Sequence, residues 1–315
     1  MQPQPPDAPP SPAADWRGPL FLAGGVLCIS FAALFVKVSG LPPTAAGLHR
    51  MAGSTALLLV FALAARARPA TPAPPRRTAA LALLLMAVGG VAFAGDMAVW
   101  NRSILRVGPG MATLLANLQV FIVPLITAAM GGGWPRKRFW LAAAAGLTGL
   151  ALLALPIGSL GRALDPVGLL FGLAAAATYS VYIAFLGEST RRWALGPPLT
   201  LLIVCASGSL ALGALQAVEL LLDPSAPVLA RAPEAWLGVA GMVLVTQLGG
   251  WSLLLRGIQR VGAAAAGVAL VGQSVLATLW DVLLLGRQLN AQELTGAAVV
   301  LLAIAVGYTA ARPRG

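Results

Sequence analysis

Residues 78–99 read TAALALLLMAVGGVAFAGDMAV, and this stretch decides the fold. As a helix it is long enough to cross the roughly 30 Å hydrocarbon layer of a bilayer. Its one charge is Asp96. Nine further runs of the same kind lie near Leu20–Val38, Thr44–Ala64, Gly108–Met130, Phe139–Leu155, Val167–Leu186, Pro198–Leu222, Trp236–Leu255, Gly262–Leu285 and Leu294–Ala311. The whole chain agrees: of 315 residues 58 % are hydrophobic and 10 % charged, and the mean hydropathy is +0.85. A soluble domain carries about 25 % charged residues to cover its core; here lipid has to be the solvent. The expected fold is an all-α membrane protein of ten transmembrane helices.

The net charge of +11 comes from Lys and Arg in short clusters between apolar runs. No continuous basic face or aromatic-interleaved motif accompanies them, so nucleic acid is not an expected partner, while lipids are. Positive loops resist translocation. With the N-terminus in the cytoplasm, that side receives Arg17, Arg66, Arg68, Arg76, Arg77, Arg136, Lys137, Arg138, Arg191, Arg192, Arg256, Arg260, Arg312 and Arg314. The other side receives Arg102, Arg106, Arg162, Arg231 and Arg287. Both termini are expected in the cytoplasm, and the run after the Pro-rich tail has no convincing cleavage site, so it reads as a retained first span. Cys28 and Cys205 sit inside apolar runs, where small packing residues are ordinary.

The second half of the chain repeats the first. Ser103-Ile-Leu-Arg-Val-Gly108 matches Gly257-Ile-Gln-Arg-Val-Gly262, and the same register pairs Gln119 with Gln273. After a small shift, Pro42-Pro43 matches Pro197-Pro198 and Ala52-Gly-Ser54 resembles Ala206-Ser-Gly-Ser209. Five spans per unit oblige the second copy to enter from the opposite side. Inverted repeats of this kind are typical of secondary transporters that alternate access around a midplane site.

Ala94-Gly-Asp96-Met-Ala-Val-Trp100-Asn-Arg-Ser103, Met111-Ala-Thr-Leu-Leu-Ala-Asn117-Leu-Gln119 with Pro124, Gln247-Leu-Gly-Gly-Trp251 and Leu279-Trp280-Asp281-Val-Leu-Leu-Leu-Gly286 carry a resemblance. In their order the chain resembles the EamA-type family of the drug/metabolite transporter superfamily. The resemblance implies two inverted five-helix repeats, here 20–158 and 165–311 after a cytoplasmic tail 1–19, in the bacterial inner membrane. It also implies movement of small metabolites. The Gly-Glu pair frequent at the end of the fourth and ninth helices in that family is absent: this chain has Gly131-Gly-Gly133 and Gly286-Arg287.

Polar side chains inside hydrocarbon are candidate functional groups. Asp96, with Trp100 and Ser103 four and seven residues on, makes one helix face. Asp96, Asp281 beside Trp280, and the sole histidine, His49, are the candidates for proton coupling, with Lys37 and Arg50 near the same depth at helix ends. Pairing of these acids and bases is the plain structural alternative. Trp100, Asn117, Gln119, Tyr179, Gln247, Trp251 and Gln273 are the candidates for substrate binding, with Ser207 nearby; knitting of helices is the alternative for each. No nucleotide loop, metal motif or nucleophile elbow is present, and no cofactor or metal is expected. The expectation is a secondary transporter, not an enzyme, exporting amino acids or related small organic metabolites by alternating access, with proton coupling through these acids. The alternative is an integral membrane enzyme acting on a lipid-linked substrate.

Overall fold

The computed structural model describes residues 16–155, 165–230, 232–285 and 290–311, and every regular element among them is a helix. The tail up to residue 15, Arg162, Arg231, Gly286-Arg287, Arg312 and Arg314 lie outside the described residues. Helices are what lipid demands, because backbone N–H and C=O groups there have no water to bond.

Among the described residues ten helical segments follow one another: α1 (Arg17–Ser39), α2 (Pro43–Ala64), α3 (Arg76–Val107), α4 (Met111–Ala129), α5 (Lys137–Ala154), α6 (Pro166–Arg192), α7 (Pro197–Leu222), α8 (Pro233–Val261), α9 (Ala263–Leu285) and α10 (Ala291–Ala311). All but α5 and α10 are long and apolar enough to cross a membrane, so eight of the ten expected crossings meet that measure. Proline opens α2, α6, α7 and α8, where its missing N–H costs nothing. Gly40 and Gly262 end α1 and α8 at φ of +60° and +86°, which glycine adopts without strain.

Helical backbone continues across the junction of α3 and α4, yet the chain reverses there. A Cβ on Gly172 would lie within van der Waals reach of both Ser103 and Leu115. Twelve residues of straight helix would hold those two about 18 Å apart. The third run extends past Val99, its expected end, because Arg102 and Arg106 find partners along the helix. Arg102 reaches Glu219 of α7, and Arg106 donates to Asp165 Oδ2 at 2.8 Å.

The packing obeys a two-fold exchange of the halves. Gly18 of α1 lies against Arg260 and Val261 of α8, where an added Cβ would come within 3.2 and 2.7 Å; Gly168 of α6 lies against Arg106 and Val107 of α3 at 2.6 and 2.7 Å. These are the same parts in the same arrangement, since Arg106-Val107-Gly108 is the mate of Arg260-Val261-Gly262. Two equivalent helices, α2 and α7, pack antiparallel, with Thr44 at the start of α2 bonded to Glu219 near the end of α7. Antiparallel mates mean oppositely inserted halves. The mates α5 and α10 also cross closely, at Gly149 and Gly296, and Gln292 of α10 donates to the carbonyls of Leu152 and Leu155.

Candidate functional site

A polar cluster lies in the interior of the bundle where the halves meet. Within α8, residues Met242–Gly250 form a π-helix, a local widening that often marks functional positions. It carries Gln247, which is fully buried. Arg50 of α2 donates from Nε to Gln247 Oε1 at 2.8 Å, and Gln247 Nε2 donates to Cys205 Sγ at 3.4 Å. The Arg50 guanidinium carbon stands 5.4 Å from the centre of the Phe93 ring, within cation–π range. Laying the halves over each other makes Arg50 the mate of Cys205 and Phe93 the mate of Gln247. The cluster therefore straddles the pseudo-two-fold axis.

Four aromatic rings wall it. Phe93 stacks on Tyr182 at 4.4 Å, and Trp251 stands edge-on to both, at 5.1 and 4.7 Å. Tyr179 completes the group at 6.2–6.4 Å from Phe93, Tyr182 and Trp251. The Tyr182 hydroxyl and the Trp251 indole N–H are buried without a hydrogen-bond partner among the described residues. Leaving such a group unmade costs about 1–3 kcal/mol, which marks these two atoms as unusual. Asp96, three residues along α3 from Phe93, lies in electrostatic range of Arg50 and Tyr179. No hydrogen bond or ion pair among the described residues reaches its carboxylate. Arg50, Asp96 and Tyr179 are only half-buried, so they share whatever space the site has.

Of the residues singled out from sequence, Asp96, Tyr179, Gln247 and Trp251 thus come together. The others do not join them. Trp100 is half-buried and makes no ring contact among the described residues, while Ser103 donates to the carbonyl of Gly168 at 2.8 Å. Asn117 bonds the Thr113 carbonyl of its own helix, and Gln119 ties α4 to α9 through the Gly267 carbonyl at 3.0 Å. Gln273 is half-buried, with no hydrogen bond among the described residues. His49 bonds the Ala45 carbonyl at 2.8 Å and meets Trp236 edge-on. Lys37 is exposed. Ser207 sits at the crossing of α7 with Gly90 of α3. The side chain of Asp281 lies outside the described residues; its neighbour Trp280 donates to Ser30 Oγ at 2.7 Å and stacks on Phe31, pinning α9 to the break in α1. Arg50, Phe93, Tyr182 and Cys205 were not anticipated as site residues. Arg50 had a signal: a lone cation two turns inside an apolar run.

The two ends of the bundle differ in charge. At one end Arg102 is bound by Glu219, which Thr44 also contacts at 2.9 Å. There Arg106 holds the Asp165 carboxyl below the usual carboxylate range by donating to it, and a cavity of about 460 Å³ lies among Arg102, Leu105, Arg106 and Phe171. At the other end the mates Arg256 and Arg260 stand 6.0 and 4.9 Å from the ring of Phe21.

Duplicated, oppositely inserted helical halves with a polar, aromatic-walled cluster on their common axis define a class: a polytopic membrane protein with the build of secondary transporters. The chain belongs to the EamA-like transporter family, whose model matches it twice, over residues 16–155 and 166–309. This places it in the drug/metabolite transporter superfamily and makes transport the family's business. No curated protein matches the chain. A solved crystal structure is similar to it with a TM-score of 0.72 and 21 % identity, over 92 % of this chain and 95 % of that one. At that identity the likeness speaks of the fold alone.

Proposed function

We propose that the protein is a secondary active transporter that exports small organic metabolites, amino acids or related compounds, across the bacterial inner membrane by alternating access, with Asp96 as the coupling acid. The observation that carries this reading is the position of the Arg50–Asp96–Gln247 cluster on the pseudo-two-fold axis. A site on that axis is presented equivalently to both ends when one half rocks against the other. The Arg256 end, which also gathers Arg17, Arg66, Arg68, Arg76, Arg77, Arg191 and Arg192, is the cytoplasmic one in this reading, as the distribution of positive charge favours. The Arg102 end faces outward, and α5 with α10 buttresses the moving set.

Asp96 suits coupling because its carboxylate has no fixed partner, leaving it free to gain and lose a proton as the site opens to each side. In proteoliposomes, an imposed proton gradient is expected to drive flux of labelled substrate, and Asp96→Asn is expected to uncouple it. Equal gradient-driven transport by that variant would remove Asp96 from the coupling role. A resistance screen of an overexpressing strain against toxic metabolites supplies the substrate to label, since an exporter protects against its own cargo.

A further inference from the structure

Donors outnumber acceptors in the central cluster. The Arg50 guanidinium carries five N–H groups, of which only Nε–H has a protein acceptor among the described residues. The Trp251 N–H and Tyr182 hydroxyl, both buried, add two more without partners. Among the described residues the one acid in electrostatic range of Arg50 is Asp96, which makes no ion pair with it. The mate positions in the other half are uncharged, Cys205 and Gly250, the latter packed directly on Ile29, so these charges are particular to the first half. Arg50 spends one donor on Gln247, and charged groups with donors to spare inside hydrocarbon mark a ligand site.

We infer that Arg50 anchors a carboxylate on the transported compound through its unbonded Nη groups, and that Asp96 is the internal anion competing with that carboxylate for the guanidinium. The inference rests on the transport pathway passing through this cluster. A guanidinium fork matches a carboxylate in a way that a point charge does not. A cationic ligand would be repelled by Arg50, and a neutral one would offer a single acceptor oxygen without the charge that strengthens a guanidinium pair. The four rings fit a ligand with a flat, unsaturated body next to its acid group. With two anions sharing one cation, loss of the Asp96 charge strengthens ligand binding. A zwitterion whose ammonium sat on Asp96 would show the opposite sign.

The test uses the purified full-length protein in detergent micelles, with 3-phenylpropionate and its carboxamide as probes in calorimetric titrations. The carboxylate is expected to bind about tenfold more tightly than the amide. Asp96→Asn is expected to tighten the carboxylate a further tenfold or so and leave the amide unchanged, a coupling of ordinary size. Arg50→Gln is expected to erase the preference. Because the Asp96→Asn effect is a gain, a folding defect does not imitate it. Equal affinity for the two probes, no binding of the carboxylate, or weaker carboxylate binding by Asp96→Asn would overturn the inference. Solute counterflow separates it from the transport reading. Carboxylate preference without flux of any solute sinks transport and leaves the anchor, whereas equal flux of acid and amide does the reverse.

Discussion

The Arg102 end and the Arg256 end are made of the same parts: a glycine near a helix start, a phenylalanine three residues on, and an Arg-x-x-x-Arg-Val sequence closing the facing helix. What differs is the anion. Glu219 of α7 bonds Arg102 and Thr44, joining α2 and α3 of the first half to the second. With the two Pro-Pro pairs laid together, the mate of Glu219 is Ala64, and among the described residues Arg256 pairs with no carboxylate. The Arg256 end is held instead by neutral bonds between the α2–α3 and α6–α7 connections: Ala70 N–H to the Leu195 carbonyl and Thr71 N–H to that of Ala194, both at 3.2 Å, with Trp193 Nε1 donating to the Thr71 carbonyl at 3.3 Å. Duplication supplies two equivalent ends, and a few side chains join the halves at one by an ion pair and at the other by neutral bonds, the Glu188 pairs with Arg191 and Arg192 staying within α6.

The largest effects test the equivalence. Gly18→Ala and Gly168→Ala each force a Cβ to within 2.7 Å of the facing side chains, and overpacking of this kind costs about 1–3 kcal/mol. Similar losses of thermal stability in detergent are expected for both; a large loss at one alone would break the symmetry. The next effect tests the difference. Glu219→Gln is expected to loosen the Arg102 end by about 1 kcal/mol, since the pair is partly solvated. Labelling of Cys205 from that side should then speed up about fivefold. Ala64→Glu gives Arg256 the anion its mate has, and is expected to slow labelling from the Arg256 side by about twofold to fivefold. Smallest is Trp193→Phe, which removes one exposed hydrogen bond worth about 0.5 kcal/mol and speeds labelling from that side about twofold.

The spans were legible because lipid allows little but apolar side chains on a crossing helix, and the repeat because Arg-Val-Gly recurs at matching places. Their ends were less legible. Arg102 and Arg106 look like loop residues until their partners on α7 and at the start of α6 are known, and those partners are more than fifty residues away in sequence. Asp96, Tyr179, Gln247 and Trp251 stood out as polar or amphipathic groups in apolar surroundings. Asn117 and Gln119 stood out by the same criterion and were found bonded to main-chain carbonyls, because an amide that serves a ligand and one that ties helices together look alike in sequence. From sequence Arg50 looks like a helix-end charge, although Pro43 starts its helix two turns earlier. The π-helix around Gln247 had no signal, since Met242–Gly250 has the composition of any apolar span.

The central claim is that one site on the axis opens to either end. Cys205 is its built-in reporter: it is fully buried and bonded by Gln247. In a Cys28→Ser background, a membrane-impermeant maleimide applied to right-side-out and to inside-out vesicles measures its access from each face. The account predicts labelling from both faces, slowed from both by a bound substrate. Labelling from one face only, or from neither, would contradict it.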